Sequence, residues 1–324
     1  IHGHRKKELD EALISQIKKI SHSTLLGLSN VPSIKLASML AERAPSGLVR
    51  VFYSDNGSTG IEIAVKIGFQ FWQQHPGGHK GKTKFISLVN AYHGDTIGSV
   101  SLGGIDLFHS LYKPLLFNAL KVSSPYCYRC HLDLNYPSCF MACLDGIEQI
   151  MKKHSDETAA FVIEPLVQAA AGMIVSPPGF LKKVRDLCTR YNILMIADEV
   201  ATGFGRTGCM FACEHENVSP DLMVISKGLT GGYLPLAATL TTKEVYDVFL
   251  GEYDEFKTFF HGHSYTGNPL GCAVAIANLN LFDSEDVLGG IKEKARFLDG
   301  KLRVFDGLQH VGNVRNKGLM VGIE

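Results

Sequence analysis

The chain has 324 residues, 45% of them hydrophobic, with 32 Lys and Arg against 32 Asp and Glu. That balance leaves no basic footprint for nucleic acid, and no apolar run approaches the length of a bilayer span, so a nucleic-acid binder and an integral membrane protein are set aside. Eight cysteines in a chain of this size do not demand disulfides, and the opening is no signal peptide, which favours a reducing, cytoplasmic setting.

The sequence begins at Ile1 without methionine and stops inside a strand-like run, VGIE, so it reads as a piece of a longer protein. Leu9, Leu13, Ile17 and Ile20 recur at helical spacing opposite Glu8, Glu11, Lys18 and Lys19, which predicts an amphipathic helix. SHSTLLGLSNVPS then reads as a loop, and a second helix is expected from about 34 to 43, ended by Ala-Pro-Ser-Gly. Residues 49–53 are β-branched and aromatic, a strand, and SDNGST converts it into a long helix with Ile61, Val65, Phe69 and Trp72 on one side. At that junction Gly57 lets backbone approach a ligand, Ser58 and Thr59 offer hydroxyls, and the helix N-terminus suits a phosphate. The same residues also make an ordinary helix cap. HPGGHKGKTKF has Pro76 where a phosphate loop needs glycine, and it follows a helix, so it reads as a basic, glycine-rich loop.

Residues 85–89 form the next buried strand, and Tyr92 and His93 lie just past its end beside glycines that leave room for a flat ring. An aromatic such as Tyr92 can stack there, or be an ordinary loop tyrosine. Cys127, Cys130, Cys139 and Cys143 invite a zinc reading, but the second pair has three intervening residues and runs into a helix, so free thiols in an irregular loop, and no metal, are expected. A helix over 143–153 leads to a strand over 159–163 that ends in Glu164-Pro165, with Gln168 close behind. After a helix over 180–190, two short apolar runs, 193–197 and 222–225, have the pattern of parallel strands buried on both faces. The first delivers Asp198 and the second Lys227 to the carboxyl edge of the sheet, where open α/β folds bind ligands. An acid and an amine so placed suit a pyridoxal phosphate site, or are two surface residues past strand ends. In the following loop GHSYT nearly matches a nucleophile elbow around Ser264, but Thr266 stands where the last glycine should be. Asn268-Pro269 opens an alanine-rich helix over 270–281. The chain changes character after 283, which divides a large domain, 1–283, from the start of a smaller one, 284–324. The strand–helix alternation makes the fold α/β, with a mostly parallel central sheet, helices on both faces and part of a small α+β C-terminal domain.

SDNGST, NAYHGDT, IEP, ADEVATGFGRTG, SKGLTGG and HGHSYTGNPLGCA occur in this order along nearly the whole chain, and together they resemble the class III, fold type I, pyridoxal-phosphate-dependent aminotransferases. The resemblance implies that Lys227 carries the cofactor as a Schiff base and then moves a proton between substrate and cofactor. It implies that Asp198 pairs with the ring nitrogen, that Val200 packs on the ring, that Tyr92 stacks on it and contacts substrate, and that Gly57 and Ser58 bind the phosphate. Gly262 would line the substrate site, while His263 and Ser264 would reach the phosphate from a partner subunit of a homodimer. More narrowly, HSTLLGLSNVPS, FYSDNGST, YHGDTIGSVS and HGHSYTGNPLGC resemble the biotin-pathway branch, which implies amination of 8-amino-7-oxononanoate with S-adenosylmethionine or lysine as donor. Other expectations stay open. A different ω-aminotransferase of the family would use lysine, ornithine, GABA or a diamine, an α/β-hydrolase would use Ser264, and a zinc-stabilised binding module would use the four cysteines.

Overall fold

The computed structural model describes residues 1–324. Eleven strands follow in chain order: β1 (Leu48–Ser54), β2 (Lys84–Leu88), β3 (Leu120–Val122), β4 (Thr158–Ile163), β5 (Val167–Gln168), β6 (Ile174–Val175), β7 (Leu194–Asp198), β8 (Leu222–Ile225), β9 (Ala237–Thr242), β10 (Val314–Lys317) and β11 (Met320–Ile323). Ten helices alternate with them: α1 (Lys7–Ile17), α2 (Val31–Arg43), α3 (Gly57–Gln74), α4 (Ile97–Leu102), α5 (Asp106–His109), α6 (Cys143–His154), α7 (Phe180–Arg190), α8 (Lys243–Asp247), α9 (Pro269–Ser284) and α10 (Val287–Leu302).

Seven strands form one sheet in the order β1-β9-β8-β7-β4-β2-β3, in which β9 alone runs antiparallel to its two neighbours. The inner strands are rich in apolar residues because both of their faces are covered. In β4, Phe161 and Ile163 point into a core shared with α2, α6, α7 and α9, whereas Ala160 and Val162 point into a second core against α3. In β7, Met195 and Ala197 face the first core and Leu194 and Ile196 the second. Sandwiching the sheet in this way brings the charged groups of its inner strands out at the strand ends. No helix is long and apolar enough to cross a membrane.

α2 begins at Val31, earlier than the apolar periodicity indicates, because the Asn30 side chain accepts from the Ser33 N–H at 2.9 Å and a proline lies in the first turn. α9 opens as expected on Asn268, whose side chain accepts from the Gly271 N–H. Beyond Ser284, Ile291 of α10 is buried, and β10 and β11 pair as a hairpin. Arg315 ties that hairpin back to the β5–β6 ribbon, donating from Nε to the Met173 carbonyl at 2.9 Å and from Nη2 to that of Gly172 at 2.6 Å.

Candidate active site

The carboxyl ends of four parallel strands converge on one cleft. β2 leads into Tyr92 and His93, β4 into Glu164, β7 ends in Asp198, and β8 hands over to Lys227 two residues later. With the first turn of α3 they wall a space of ≈ 750 Å³, whose lining includes Gly57, Ser58, Tyr92, Asp198, Val200 and Lys227.

Asp198 is 5% exposed, and its carboxylate is held from two sides. Oδ2 lies 2.7 Å from His93 Nδ1, and Oδ1 accepts from the Val200 N–H at 3.1 Å. A carboxylate oxygen only accepts, so Nδ1 is the protonated nitrogen of that pair. The other nitrogen, Nε2, is buried without a partner. Glu164 sits beside them, its two oxygens accepting from the N–H groups of Tyr92 at 3.2 Å and Ala169 at 3.0 Å. Burial pushes the Glu164 carboxyl up to about 7, with the Asp198 charge pushing the same way and His93 opposing.

Tyr92 donates its hydroxyl to Asp95 Oδ2 at 2.7 Å; burial first, and then that bond, raise the phenol to about 12. The Asp95 N–H in turn donates to Ser58 Oγ at 3.0 Å, which joins the tyrosine loop to the start of α3. Two close approaches explain glycines here. A Cβ on Gly57 would lie 2.7 Å from Val200 Cγ1, and one on Gly94 would lie 1.9 Å from Ser58 Oγ. Asn56 and Thr59 form a reciprocal capping box at the start of α3. The cap uses the third N–H of the helix, so those of Gly57 and Ser58 are left free to meet an anion. Lys227 is exposed into the cleft and has a φ of 41°, a left-handed conformation that costs a non-glycine residue about 1–3 kcal/mol. Strain of that kind concentrates at sites where geometry matters more than stability.

The structure therefore gathers Lys227, Asp198, Tyr92, Gly57, Ser58 and Val200 around one space, and Glu164 with them. Gln168 stands behind, its amide donating to the Val89 carbonyl at 3.0 Å. Gly262, His263 and Ser264 do not line this cleft; His263 Nε2 is 3.4 Å from Asp55 Oδ2, at the rim. Ser264 is exposed in a turn that no strand precedes, which is not the strand–turn–helix setting of a nucleophile elbow. Sequence reasoning placed His93 past its strand end without giving it a task, and it passed over Asp95. The signal for both was the run Tyr-His-Gly-Asp inside NAYHGDT, four residues that together reach β7 and α3.

The whole chain, residues 1–324, matches the model of the family described as aminotransferase class-III. It is 57% identical over 325 residues to the adenosylmethionine-8-amino-7-oxononanoate aminotransferase of Geobacter sulfurreducens, covering 100% of this chain and 71% of that protein. Among solved structures it superposes with a TM-score of 0.93 on the enzyme of the same name from Methanocaldococcus jannaschii, at 46% identity, covering 99% of this chain and 71% of the other. An amine transaminase from an uncultivated Pseudomonas species, solved in its PLP-bound form, gives a TM-score of 0.90 at 34% identity over 98% of this chain and 72% of the other. For the enzyme of Nitratidesulfovibrio vulgaris, 54% identical, the share of the relative's length that is spanned falls to 60%.

Proposed function

The chain belongs to the class-III aminotransferases, and we propose that within this family it aminates 8-amino-7-oxononanoate to 7,8-diaminononanoate, a step of biotin biosynthesis, with S-adenosylmethionine as the amino donor and lysine as the alternative. The observation that carries the reading is the full-length match at 57% identity to a relative of that name, combined with a cleft whose polar groups are those the reaction needs.

Enzymes of this class depend on pyridoxal phosphate, and the residues present fit that group. The first turn of α3 offers an anion two free N–H groups and the Ser58 hydroxyl, Asp198 offers a buried negative charge to a protonated ring nitrogen, and Lys227 offers an amine to an aldehyde. The Val200 side chain occupies the space a Cβ at Gly57 would need, so ring-binding and phosphate-binding residues are packed together. When bound, the cofactor supplies an electron sink for the bond between a proton and the carbon that carries the amino group.

In this reading Lys227 Nζ holds the cofactor in the resting enzyme and, once displaced by substrate, carries the proton removed from the donor. Asp198 would pair its carboxylate with the ring nitrogen, and His93 and the Val200 N–H fix that carboxylate. Tyr92 would stack on the ring and contact the substrate, its hydroxyl anchored on Asp95. Val200 would pack on the ring, and Gly57 and Ser58 would hold the phosphate. Gly262, His263 and Ser264 serve the neighbouring site of a homodimer, with Gly262 lining the substrate space and the other two reaching the phosphate. Their position outside the cleft of their own chain, while His263 stays beside Asp55 at its rim, supports that assignment. Residues 1–283 are the cofactor-binding domain and 284–324 the beginning of the small domain.

The full-length protein loaded with pyridoxal phosphate tests the reading. Its visible absorption should fade on adding one of S-adenosylmethionine or lysine, supplied separately, and adding 8-amino-7-oxononanoate should then yield the diamine. Fading only with ornithine, GABA or a diamine, and no diaminononanoate, would move the chain to another branch of the family.

A further inference from the structure

The ribbon of β5 and β6 forms part of the cleft wall. Ala169, Ala170 and Met173, in the turn that joins the two strands, line the cleft, and Ala169 and Met173 also line an adjoining space of ≈ 610 Å³ that reaches Lys227. The turn closes on itself, with the N–H groups of Gly172 and Met173 donating to the Ala169 carbonyl at 3.2 and 3.0 Å. Its backbone is strained. Gly172 has a φ of 96° and Met173 a φ of 57°, so two successive residues are left-handed and the second carries a side chain. β5 and β6 have two residues each, too few to hold such a turn by strand pairing.

Both ends of the turn are held from outside the ribbon. At the first, the Ala169 N–H donates to Glu164 Oε1 at 3.0 Å. At the second, Arg315 of β10 donates from Nη2 to the Gly172 carbonyl at 2.6 Å and from Nε to the Met173 carbonyl at 2.9 Å, gripping both left-handed residues across 142 residues of chain. The guanidinium is itself fixed. Nη1 donates to Asn313 Oδ1 at 2.8 Å and to Glu324 Oε2 at 3.0 Å, the group lies 5.1 Å over the Tyr126 ring, and the side chain is 12% exposed. A planar fork of N–H donors suits this set of partners, whereas the point charge of a lysine cannot reach them together. A Cβ on Gly322 of β11 would fall 2.8 Å from the Gly172 carbonyl, so the backbone of the hairpin lies against the turn. Leu319, Met320 and Val321 of the same hairpin line the space beside Lys227.

We propose that Arg315 is a positioning residue for substrate: it locks the 169–173 turn, so the Met173 wall of the cleft forms only when the C-terminal hairpin is docked. The proposal rests on reading the cleft as an aminotransferase site, which places the substrate beside Lys227. No hydrogen bond of the Arg315 side chain goes to Lys227, Asp198, Gly57 or Ser58. Losing it therefore leaves the cofactor-holding groups in place and loosens the wall that an amine or ketone substrate meets. The Ala169 end stays anchored on Glu164, so the loosening is greatest at Met173.

The test uses the full-length protein loaded with pyridoxal phosphate and compares Arg315→Gln and Arg315→Lys with the native chain. Both should raise the apparent constant for the amino donor at least about tenfold, read as fading of the cofactor absorption, the change expected where a charged hydrogen-bonding group is lost. Cofactor affinity and the fading rate at saturating donor should stay within about twofold, because a loss confined to substrate binding raises KM and spares kcat. Amide exchange should speed selectively over 169–174 and not in α3 or β7. This half-reaction needs no particular acceptor, so it stands if the biotin-pathway substrate proves wrong; a native protein whose absorption no donor fades overturns the aminotransferase reading and this proposal with it. Should both Arg315 variants fail to fold, Asn313→Ala, which removes one support of the guanidinium, should raise the donor constant about threefold with cofactor affinity unchanged. A donor constant unchanged in every variant, or one that rises no more than the cofactor dissociation constant does, overturns the proposal.

Discussion

His93 Nδ1 and Asp198 Oδ2 meet at 2.7 Å with their side chains 0% and 6% exposed, so the anion at the end of β7 is held by an imidazole delivered from the end of β2. The pair bridges two strands that are not neighbours, since β4 lies between them. A buried carboxylate with one strong donor removed costs roughly 1.5–3 kcal/mol, or about tenfold to a hundredfold in a binding constant. His93→Phe should therefore weaken pyridoxal phosphate binding by that factor, read by titrating its absorbance. Unchanged affinity would mean that the imidazole does nothing for Asp198.

Gly57 and Val200 are matched to one another. Ala at 57 would press its Cβ to 2.7 Å from Val200 Cγ1 and 3.0 Å from its Cγ2, atoms of a stiff β-branched side chain. Overpacking of this kind costs about 1–3 kcal/mol. Gly57→Ala should lower cofactor affinity about tenfold or more, and Val200→Ala in the same chain should recover most of the loss. Failure of the second change to rescue the first would place the need for glycine in the backbone instead of in the side chain opposite.

Glu164 gives a pH dependence with a definite sign. Burial pushes its carboxyl up to about 7 in the fold, from an ordinary value of about 4.5. Between those values the folded state binds more protons than the unfolded one, so stability is greatest below the lower value and falls as pH rises through the upper one. The difference amounts to at most about 3 kcal/mol. Urea unfolding of the cofactor-free protein at about pH 5 and about pH 8 should show this loss, and Glu164→Gln should flatten it. Equal slopes in the two proteins would contradict the buried, protonated state.

Lys82 is a structural cation in a loop that reads as solvated. It is 2% exposed, with its ammonium donating to the carbonyls of Ser155 at 2.5 Å, Asn192 at 2.8 Å and Thr158 at 3.3 Å, and standing 4.7 Å over the Trp72 ring. Lys82→Met leaves those carbonyls unpaired and should cost about 2–4 kcal/mol in urea unfolding without changing the absorbance titration of the cofactor. A destabilisation of less than about 0.5 kcal/mol would contradict that accounting.

The difference between Lys82 and Lys227 shows what sequence makes legible. Lys227 follows a run buried on both faces, and such a run fixes both its strand and the edge at which its last residue emerges; Asp198 and Glu164 were readable for the same reason. Lys82 lies among glycines and histidines with no periodicity, and only the packing of α6 and α7 against β4 and β7 reveals the carbonyls that surround it. His93 was visible as a position but not as a partner, because its contact with Asp198 spans 105 residues of chain. The antiparallel β9 was equally hidden. Ala237–Thr242 is a buried run like the others, and its direction depends on a turn of glycines and a proline that pattern alone does not orient.

The most direct test of the central claim is to locate the cofactor on the chain. Full-length protein saturated with pyridoxal phosphate would be reduced with borohydride, digested and mapped by mass spectrometry. The account predicts a phosphopyridoxyl group on the peptide containing Lys227, and none in the Lys227→Ala protein. A modification confined to another lysine, or no modification at all, would contradict it.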